Sequence, residues 1–516
     1  MTRRGLVALL LAFGLIAAAC GGDSDSADSD SADSDGAGSD GAGSDDSGEG
    51  ASGEGSAGED GPAPEVEIDP SECPLGAHTD ADGPVEVLMW HSLIAKPQEA
   101  LQSVADSFNA SQDEIQVRLE SQGASVDEVL TKYTSAIASG DLPDLVVMGD
   151  TATLLMRDSE TILPAAACFA ADESVSIEDT TDIAREYYTV DGALLPGSAL
   201  IASALVYFNA DHFTEAGLDP ADPPSTLDEM RAAAEALVEA NVGEEPYTPF
   251  VLKLDPFMME FLLTGNGSPM VDADNGRGGV PSASAFDNEG SRELYQWLVD
   301  MQADGLLDPV TDAGGALDHY LAMAAGKSSF SLESSLSATS VVAFVAGEAV
   351  GDTGGVDVGE AEEATGLNVA AGPLPGIAEG SSSQMGGAAV YMTNTGSAET
   401  QAGSWEFIKY LNEVPQQALM LTEGSFLPFN PAAMEDPSVV AAVEDDLAGQ
   451  WLGISWDQVS SLDEDFPGPL IGPYADVRSA VRSGLESLIL EGSSVDEAVT
   501  DTDAEITAAV EDYASF

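Results

Sequence analysis

Basic side chains are scarce in this chain. Lysine and arginine number 15 against 92 aspartates and glutamates, a formal net charge of -77 over 516 residues. A field of that sign repels nucleic acid and anionic lipid surfaces, so neither is expected as a partner. Histidine is rarer still. His78, His91, His212 and His319 are the four, and none stands in an H-x-x-x-H pattern or beside cysteine. The chain therefore carries no zinc signature. It has no G-x-S-x-G elbow and no P-loop. VDADNG (Val271–Gly276) resembles a calcium loop, but its glycine comes one residue early and the closing glutamate is missing, so it reads as a solvated turn. No metal, no cofactor and no catalytic residue is expected.

What is present begins at the N-terminus. Met1-Thr2-Arg3-Arg4 leads into an apolar run from Gly5 to Ala19, shorter than the roughly 20 residues of a membrane helix. Small residues, Ala17-Ala18-Ala19, then precede Cys20. The order reads as a signal peptide over 1–19, cleavage, and lipid on Cys20. Export with a lipid anchor on the outer face of the cell membrane is the expected localisation, and lipid the only membrane contact. Residues 20–83 read as a tether. Their Asp-Ser and Gly-Ala-Gly-Ser-Asp repeats are too poor in apolar side chains to offset chain entropy. Two G-x-G-x-x-G matches in it, Gly36–Gly41 and Gly53–Gly58, follow no strand and are accidental.

With Cys20 taken by lipid, Cys73 and Cys168 form an even pair in an oxidising compartment. A disulfide between them is expected; two buried thiols are the alternative.

From Val85 strands and helices alternate. VEVLMW (85–90), IQVRLE (115–120) and DLVVMGD (144–150) read as strands, with helices over 97–111 and 125–140 between them. Such alternation predicts parallel α/β layers. Further strands are expected at 204–210 and 386–393. Helices are expected at 223–240, opened by a capping box of Thr226 and Glu229, and at 291–306, 401–412 and twice after Tyr474.

Several of these segments carry a resemblance. VEVLMWHSL, SVADSFNAS and IQVRLE are similar to the opening of family 1 extracellular solute-binding proteins of ABC importers. VYFNADHFTEAGLDPADPPSTLDEM (206–230) resembles that family's second-lobe signature, and GGAAVYMTNTGSAETQAGSWEFIKYLNEVPQQALM with TEGSFLPFNPAA resembles its C-terminal third. The resemblance implies an α/β, two-lobe, type II periplasmic-binding-protein-like fold with the ligand cleft between the lobes. Lobe 1 would hold residues 84–195 and 384–434, and lobe 2 residues 196–383 and 435–516. It implies a monomer that closes over a small solute and docks on a membrane permease.

The opening WHS and IGPYADVR look most similar to the glycerol-3-phosphate-binding subgroup. That likeness places ligand contacts at Arg478, at Ser334 or Ser335, at Ser203 and at Gly386 or Gly387. Asp150 takes the place of the first-lobe acid. Phe426 stands where the subgroup has tyrosine, and Lys253 lies roughly where one of a tryptophan pair would be.

Other readings of these residues stay open. Arg478 presents a planar fork of donors suited to phosphate, carboxylate or hydroxyls, or makes an ordinary ion pair. Arg482 is four residues from Glu486 and reads as structural. Trp90 ends a strand where open α/β sheets place ligands, or packs in the core. Trp297 and Trp405 lie on helix faces and read as core; Trp451 and Trp456 are candidates for stacking on a sugar ring. A neutral sugar or polyol meets no repulsion from a chain this acidic, which favours carbohydrate over phosphate ester. The alternative function is a secreted carbohydrate-active hydrolase using two carboxylates; a third is an acidic surface protein.

Overall fold

The computed structural model describes residues 68–310, 318–352, 366–462 and 468–515. The expected signal peptide, Cys20 and residues 21–67 of the expected tether lie outside the described residues. Among those described, no helix is long and apolar enough to cross a membrane.

The first sheet has the strand order β2-β1-β3-β13-β4. It uses β1 (Val85–His91), β2 (Ile115–Ser121), β3 (Leu145–Gly149) and the short β4 (Ile162–Leu163). A two-stranded hairpin, β5 (Thr189–Val190) and β6 (Ala193–Leu194), stands apart. β7 (Ser198–Ala202) then joins the first sheet by pairing with β13. The second sheet has the order β10-β9-β11-β8-β12. Its strands are β8 (Ala204–Asn209), β9 (Phe250–Lys253), β10 (Leu307–Val310), β11 (Phe330–Ser334) and β12 (Val369–Pro373). β13 (Gly386–Thr393) returns the chain to the first sheet.

The expected parallel layers are half of each sheet. β1 runs parallel to β2 and β3, and β9 runs parallel to β10 and β11. β13 is antiparallel to β3, and β8 is antiparallel to both β11 and β12. The reason is connectivity. Strands linked by a helical crossover come back parallel, whereas β8 and β13 enter their sheets from the other one. Because β7 belongs to the first sheet and β8 to the second, the chain passes between them at Ser203, somewhat beyond residue 195.

The helices fit their sequences. α1 (Ala95–Ser111) buries Leu101, Val104, Ala105 and Phe108, the face expected from spacing. α2 (Val126–Ser139) is capped by Ser125, which accepts from the Glu128 N–H, and ends at left-handed Gly140. α3 (Asp182–Tyr188) precedes the hairpin. At α4 (Leu227–Ala240) only half of the capping box forms. Thr226 accepts from the Glu229 N–H, but the Glu229 carboxylate takes the N–H and hydroxyl of Ser225 instead. α5 (Pro256–Gly265) starts after the cap Asp255. α6 (Glu289–Ala303) begins two residues earlier than expected because Asn288 caps it. α7 (Ala398–Leu411) carries Trp405 into the core of the first sheet, and α8 (Leu447–Ser460) packs along β12. α9 (Tyr474–Glu486) and α10 (Val495–Ala514) close the chain over the second-sheet core.

Cys73 and Cys168 are joined as a disulfide. It ties Cys73, within the 20–83 stretch, to the helix Ala165–Ala171, and both sulfur-bearing residues are buried. The closed loop spans a sequence separation of 95. In the chain-entropy picture a loop of that size contributes up to about 4 kcal/mol. The double variant Cys73→Ser with Cys168→Ser is expected to lower the melting temperature, read by calorimetry. Unchanged melting, or free thiols at both positions in peptide mapping, would contradict the assignment.

Candidate functional site

The ends of both sheets converge where the chain crosses between them. β1 ends at Trp90 and His91, and β3 ends against Asp150. β9 ends at Lys253 and β11 at Ser334, while β13 opens with Gly386 and Gly387. Carboxyl ends of parallel strands are where open α/β sheets hold ligands.

Asp150 opens the turn after β3 and is 3% exposed. Its Oδ2 has no hydrogen-bond partner. Burial pushes the carboxyl up to about 6, against the pull of Arg478; the negative charge of Glu260 adds to the rise.

Facing it from the second-sheet side is a buried ion pair. Arg478 of α9 donates Nε to Glu260 Oε2 at 2.9 Å and Nη2 to Glu260 Oε1 at 3.3 Å. Tyr474, one helical turn earlier, donates its hydroxyl to Glu260 Oε1 at 2.7 Å, and Gln384 donates its amide to the same oxygen. Glu260 is 1% exposed and surrounded by donors. The rings of Phe257 and Tyr474 lie 5.6 and 5.3 Å from the Arg478 guanidinium carbon. Arg478 keeps 19% of its side chain exposed, so it still has an edge to offer a solute.

Tyr187 of α3 joins the two groups. It is fully buried, and its phenol is pushed well up by burial and then by the charge of Asp150. Arg277 lies with its guanidinium carbon 4.9 Å from the Tyr187 ring centroid. Gly468 lies against the same ring: a Cβ there would meet Tyr187 at 3.3 Å and Gln384 Oε1 at 3.7 Å. Gln384 Oε1 and Arg277 Nη2, like Asp150 Oδ2, are buried without a partner. Unpaired buried polar atoms are costly and point to a missing partner.

The other expected contacts fall in different places. Ser203 and Ser335 are fully buried and bonded to each other: Ser203 N–H donates to Ser335 Oγ at 3.0 Å, and Ser335 N–H donates to the Ser203 carbonyl at 2.8 Å. They build the crossing. Ser334 caps the following turn by accepting from the Leu336 N–H. Gly387, at φ +119, lets β13 approach β7: a Cβ would meet the Leu200 carbonyl oxygen at 2.1 Å. Lys253 lies 3.7 Å from Asp255 and close to Glu333. Against burial, which raises it, His319 and Lys253 hold the Glu333 carboxyl down to about 2. Trp90 is half-buried at its strand end, and its Nε1 has no partner. Phe426 is 1% exposed and lies in the core of the first sheet. Trp451 is likewise buried, edge-on to Tyr207 at 5.3 Å. It borders an open groove of about 950 Å³ along β12 and α8, whose lining includes none of Asp150, Glu260, Arg277 or Arg478.

Glu260, Arg277, Gln384 and Tyr187 are absent from the sequence-based list. A lone carboxylate inside the apolar stretch Pro-Phe-Met-Met-Glu-Phe-Leu-Leu was the readable sign of Glu260. Arg277 follows the turn expected to be merely solvated.

Two mixed sheets joined by several crossings, with unpaired polar atoms buried between them, define a two-lobe solute-binding clamp. The chain belongs to the bacterial extracellular solute-binding proteins, whose family model matches residues 103–446. It is a substrate-capturing component of ABC importers, not an enzyme, and the hydrolase reading is set aside.

Among its relatives is the sn-glycerol-3-phosphate-binding periplasmic protein UgpB of Yersinia pestis. It is 24% identical over 360 residues, 68% of this chain and 75% of the relative. The same-named protein of Rhizobium meliloti is 25% identical over 371 residues, 70% of this chain and 79% of the relative. The structure of UgpB from Mycobacterium tuberculosis in complex with glycerophosphocholine is similar at a TM-score of 0.66 and 18% identity, covering 84% of this chain and all of that one. The GacH receptor of Streptomyces glaucescens, solved unliganded and with acarbose, is similar at a TM-score of 0.65 and 19% identity, covering 83% and 99%.

Proposed function

We propose that the protein captures a carbohydrate or polyol between its lobes and hands it to a membrane permease. In this reading Cys20 carries the lipid that keeps it on the outer face of the cell membrane, and it works as a monomer. The lobes divide at Ser203, with 384–434 returning to the first lobe and 435–516 to the second.

One observation carries the solute class. The site balances its own charge, with Asp150 and Glu260 set against Arg277 and Arg478, and still leaves both acceptors and a donor unpaired. A hydroxyl both donates and accepts, so a polyhydroxylated solute completes the set without adding charge. Arg478, with Glu260 already on it, then serves as a donor to hydroxyls rather than as a free cation.

A second reading, a glycerol phosphate ester, is favoured by the names of the Yersinia and Rhizobium relatives. It brings negative charge into the site and would require Asp150 to hold its proton. The two readings have opposite pH dependence. Hydroxyl donation to the Asp150 carboxylate strengthens as pH rises through about 6, whereas ester binding weakens over the same range.

A thermal-shift screen with sugars, polyols, glycerol-3-phosphate and its diesters tests both. A solute at a hundred times its Kd adds about 2.7 kcal/mol of stability. Shifts with sugars or polyols that grow from pH 5 to 7 support the main reading. Shifts with phosphate esters alone, shrinking over that range, replace it with the second.

A further inference from the structure

Arg277 belongs to none of the motifs discussed above, yet it touches both sides of the cleft. It follows Gly276 in the turn after Asp272–Asn275, whose preceding residues Met270 and Val271 belong to the second-sheet core. Arg277 Nε donates to the Gly468 carbonyl at 2.8 Å, in the stretch leading into α9. Its Nη1 donates to the Tyr187 carbonyl at 3.0 Å. Tyr187 of α3 packs edge-on against Tyr188 at 4.9 Å and belongs to the buried cluster that contains Val146 and Met148 of β3. One guanidinium therefore spans the two lobes, with its flat face against the Tyr187 ring.

The charge is poorly compensated for so buried a group. Among the described residues Arg277 makes no ion pair, and burial pulls its guanidinium below the usual range. Backbone carbonyls account for two of its nitrogens, and Nη2 is buried with nothing to donate to. An acceptor that also lacks a partner, Gln384 Oε1, lies near Gly468, whose carbonyl Arg277 holds: a Cβ on Gly468 would meet it at 3.7 Å. The Gln384 amide nitrogen donates to Glu260, which leaves the oxygen as its free end.

We infer that Arg277 is a solute-contacting strap. Its Nη2 donates to an oxygen of the bound solute, while Nε and Nη1 hold the second lobe to the first through Gly468 and Tyr187. Filling the site and closing the lobes are then coupled through one side chain. This rests on reading the cleft as the solute site and adds the group that senses occupancy. The ligand chemistry it implies is a hydroxyl or ring oxygen placed between the Arg277 donor and the Gln384 acceptor.

Arg277→Lys keeps the charge but cannot bridge two carbonyls and a solute at once; Arg277→Gln serves as a second variant should the first fold poorly. The probes are maltotriose, glycerol and glycerol-3-phosphate, each titrated by calorimetry into the full chain, with release followed by stopped-flow tryptophan fluorescence. For a probe bound by the wild type, Arg277→Lys is expected to speed release at least about tenfold while association changes far less. The compaction seen by solution scattering on adding that probe is expected to shrink. A purely structural Arg277 would lower the melting temperature and leave release and compaction unchanged; that result overturns the strap and spares the solute site. Failure of the wild type to bind any of the three probes overturns the solute class and the strap with it.

Discussion

Asp150→Asn is expected to make the empty protein more stable at neutral pH and to cost it most of its affinity for solute. The carboxyl of Asp150 ionises near 6 in the folded protein against an ordinary value of 3.8. The sign follows from proton binding. Between those two values the folded state holds more protons than the unfolded state, so stability is full below about pH 4 and is lost as pH rises through about 6. Asparagine keeps the shape and removes the charge. At pH 7.5 the variant should gain on the order of 2–3 kcal/mol, and at pH 4 it should gain nothing. Binding moves the other way. A solute hydroxyl that donated to a carboxylate now meets a neutral amide, and a hydrogen bond to a charged group contributes about 1.5–3 kcal/mol. Affinity should fall about 10- to 100-fold. Urea unfolding at the two pH values and one calorimetric titration check all three statements. A variant that loses stability at pH 7.5 would show that Asp150 supports the fold rather than the site.

The largest loss of stability is expected from Glu260→Ala. Three side chains donate to that carboxylate: Arg478, Tyr474 and Gln384. Removing it leaves a guanidinium in a largely buried position with no counter-ion in contact. Breaking one side of a buried pair costs about 3–5 kcal/mol, more than the pair itself contributes to stability. Glu260→Gln, which keeps an acceptor for Arg478, should cost clearly less. Pairing Glu260→Ala with Arg478→Leu should recover part of the loss, because the stranded charge goes with the arginine. Urea unfolding of the four proteins measures the coupling. Additive losses in the double variant would mean that the pair is not coupled, contrary to its geometry.

The contrast between these residues shows what the sequence could disclose. Asp150 was readable from the family resemblance, as the one carboxylate where the first-lobe acid falls. Arg478 was readable from the family resemblance. Glu260 left only the sign of a lone carboxylate in an apolar helix, and nothing in one sequence says that a residue two hundred positions away supplies its counter-charge. Arg277 was hidden for the same reason: its two acceptors are backbone carbonyls, which leave no trace in side-chain spacing.

The fold divides similarly. β1, β2 and β3 were read from their apolar runs, bounded by turns and separated by helices of clear period. β7, Ser-Ala-Leu-Ile-Ala, is buried along its whole length and shows no alternation, so its place in the first sheet was missed. The same shortness hid β9, β10 and β12. Phe426 was read from the resemblance alone. Its position matches a family contact, and the ring, lacking the hydroxyl, packs in the core of the first sheet.

The central claim is that a polyhydroxylated solute is held between the lobes by Asp150 and Arg478. Calorimetric titration of the strongest solute from the thermal-shift screen, into the wild type and Asp150→Asn at pH 7.5, tests it most directly. The account predicts one site per chain in the wild type, and an affinity weaker by about 10- to 100-fold in a variant that is itself more stable. Equal affinity in the two proteins would contradict it and move the solute to another part of the molecule.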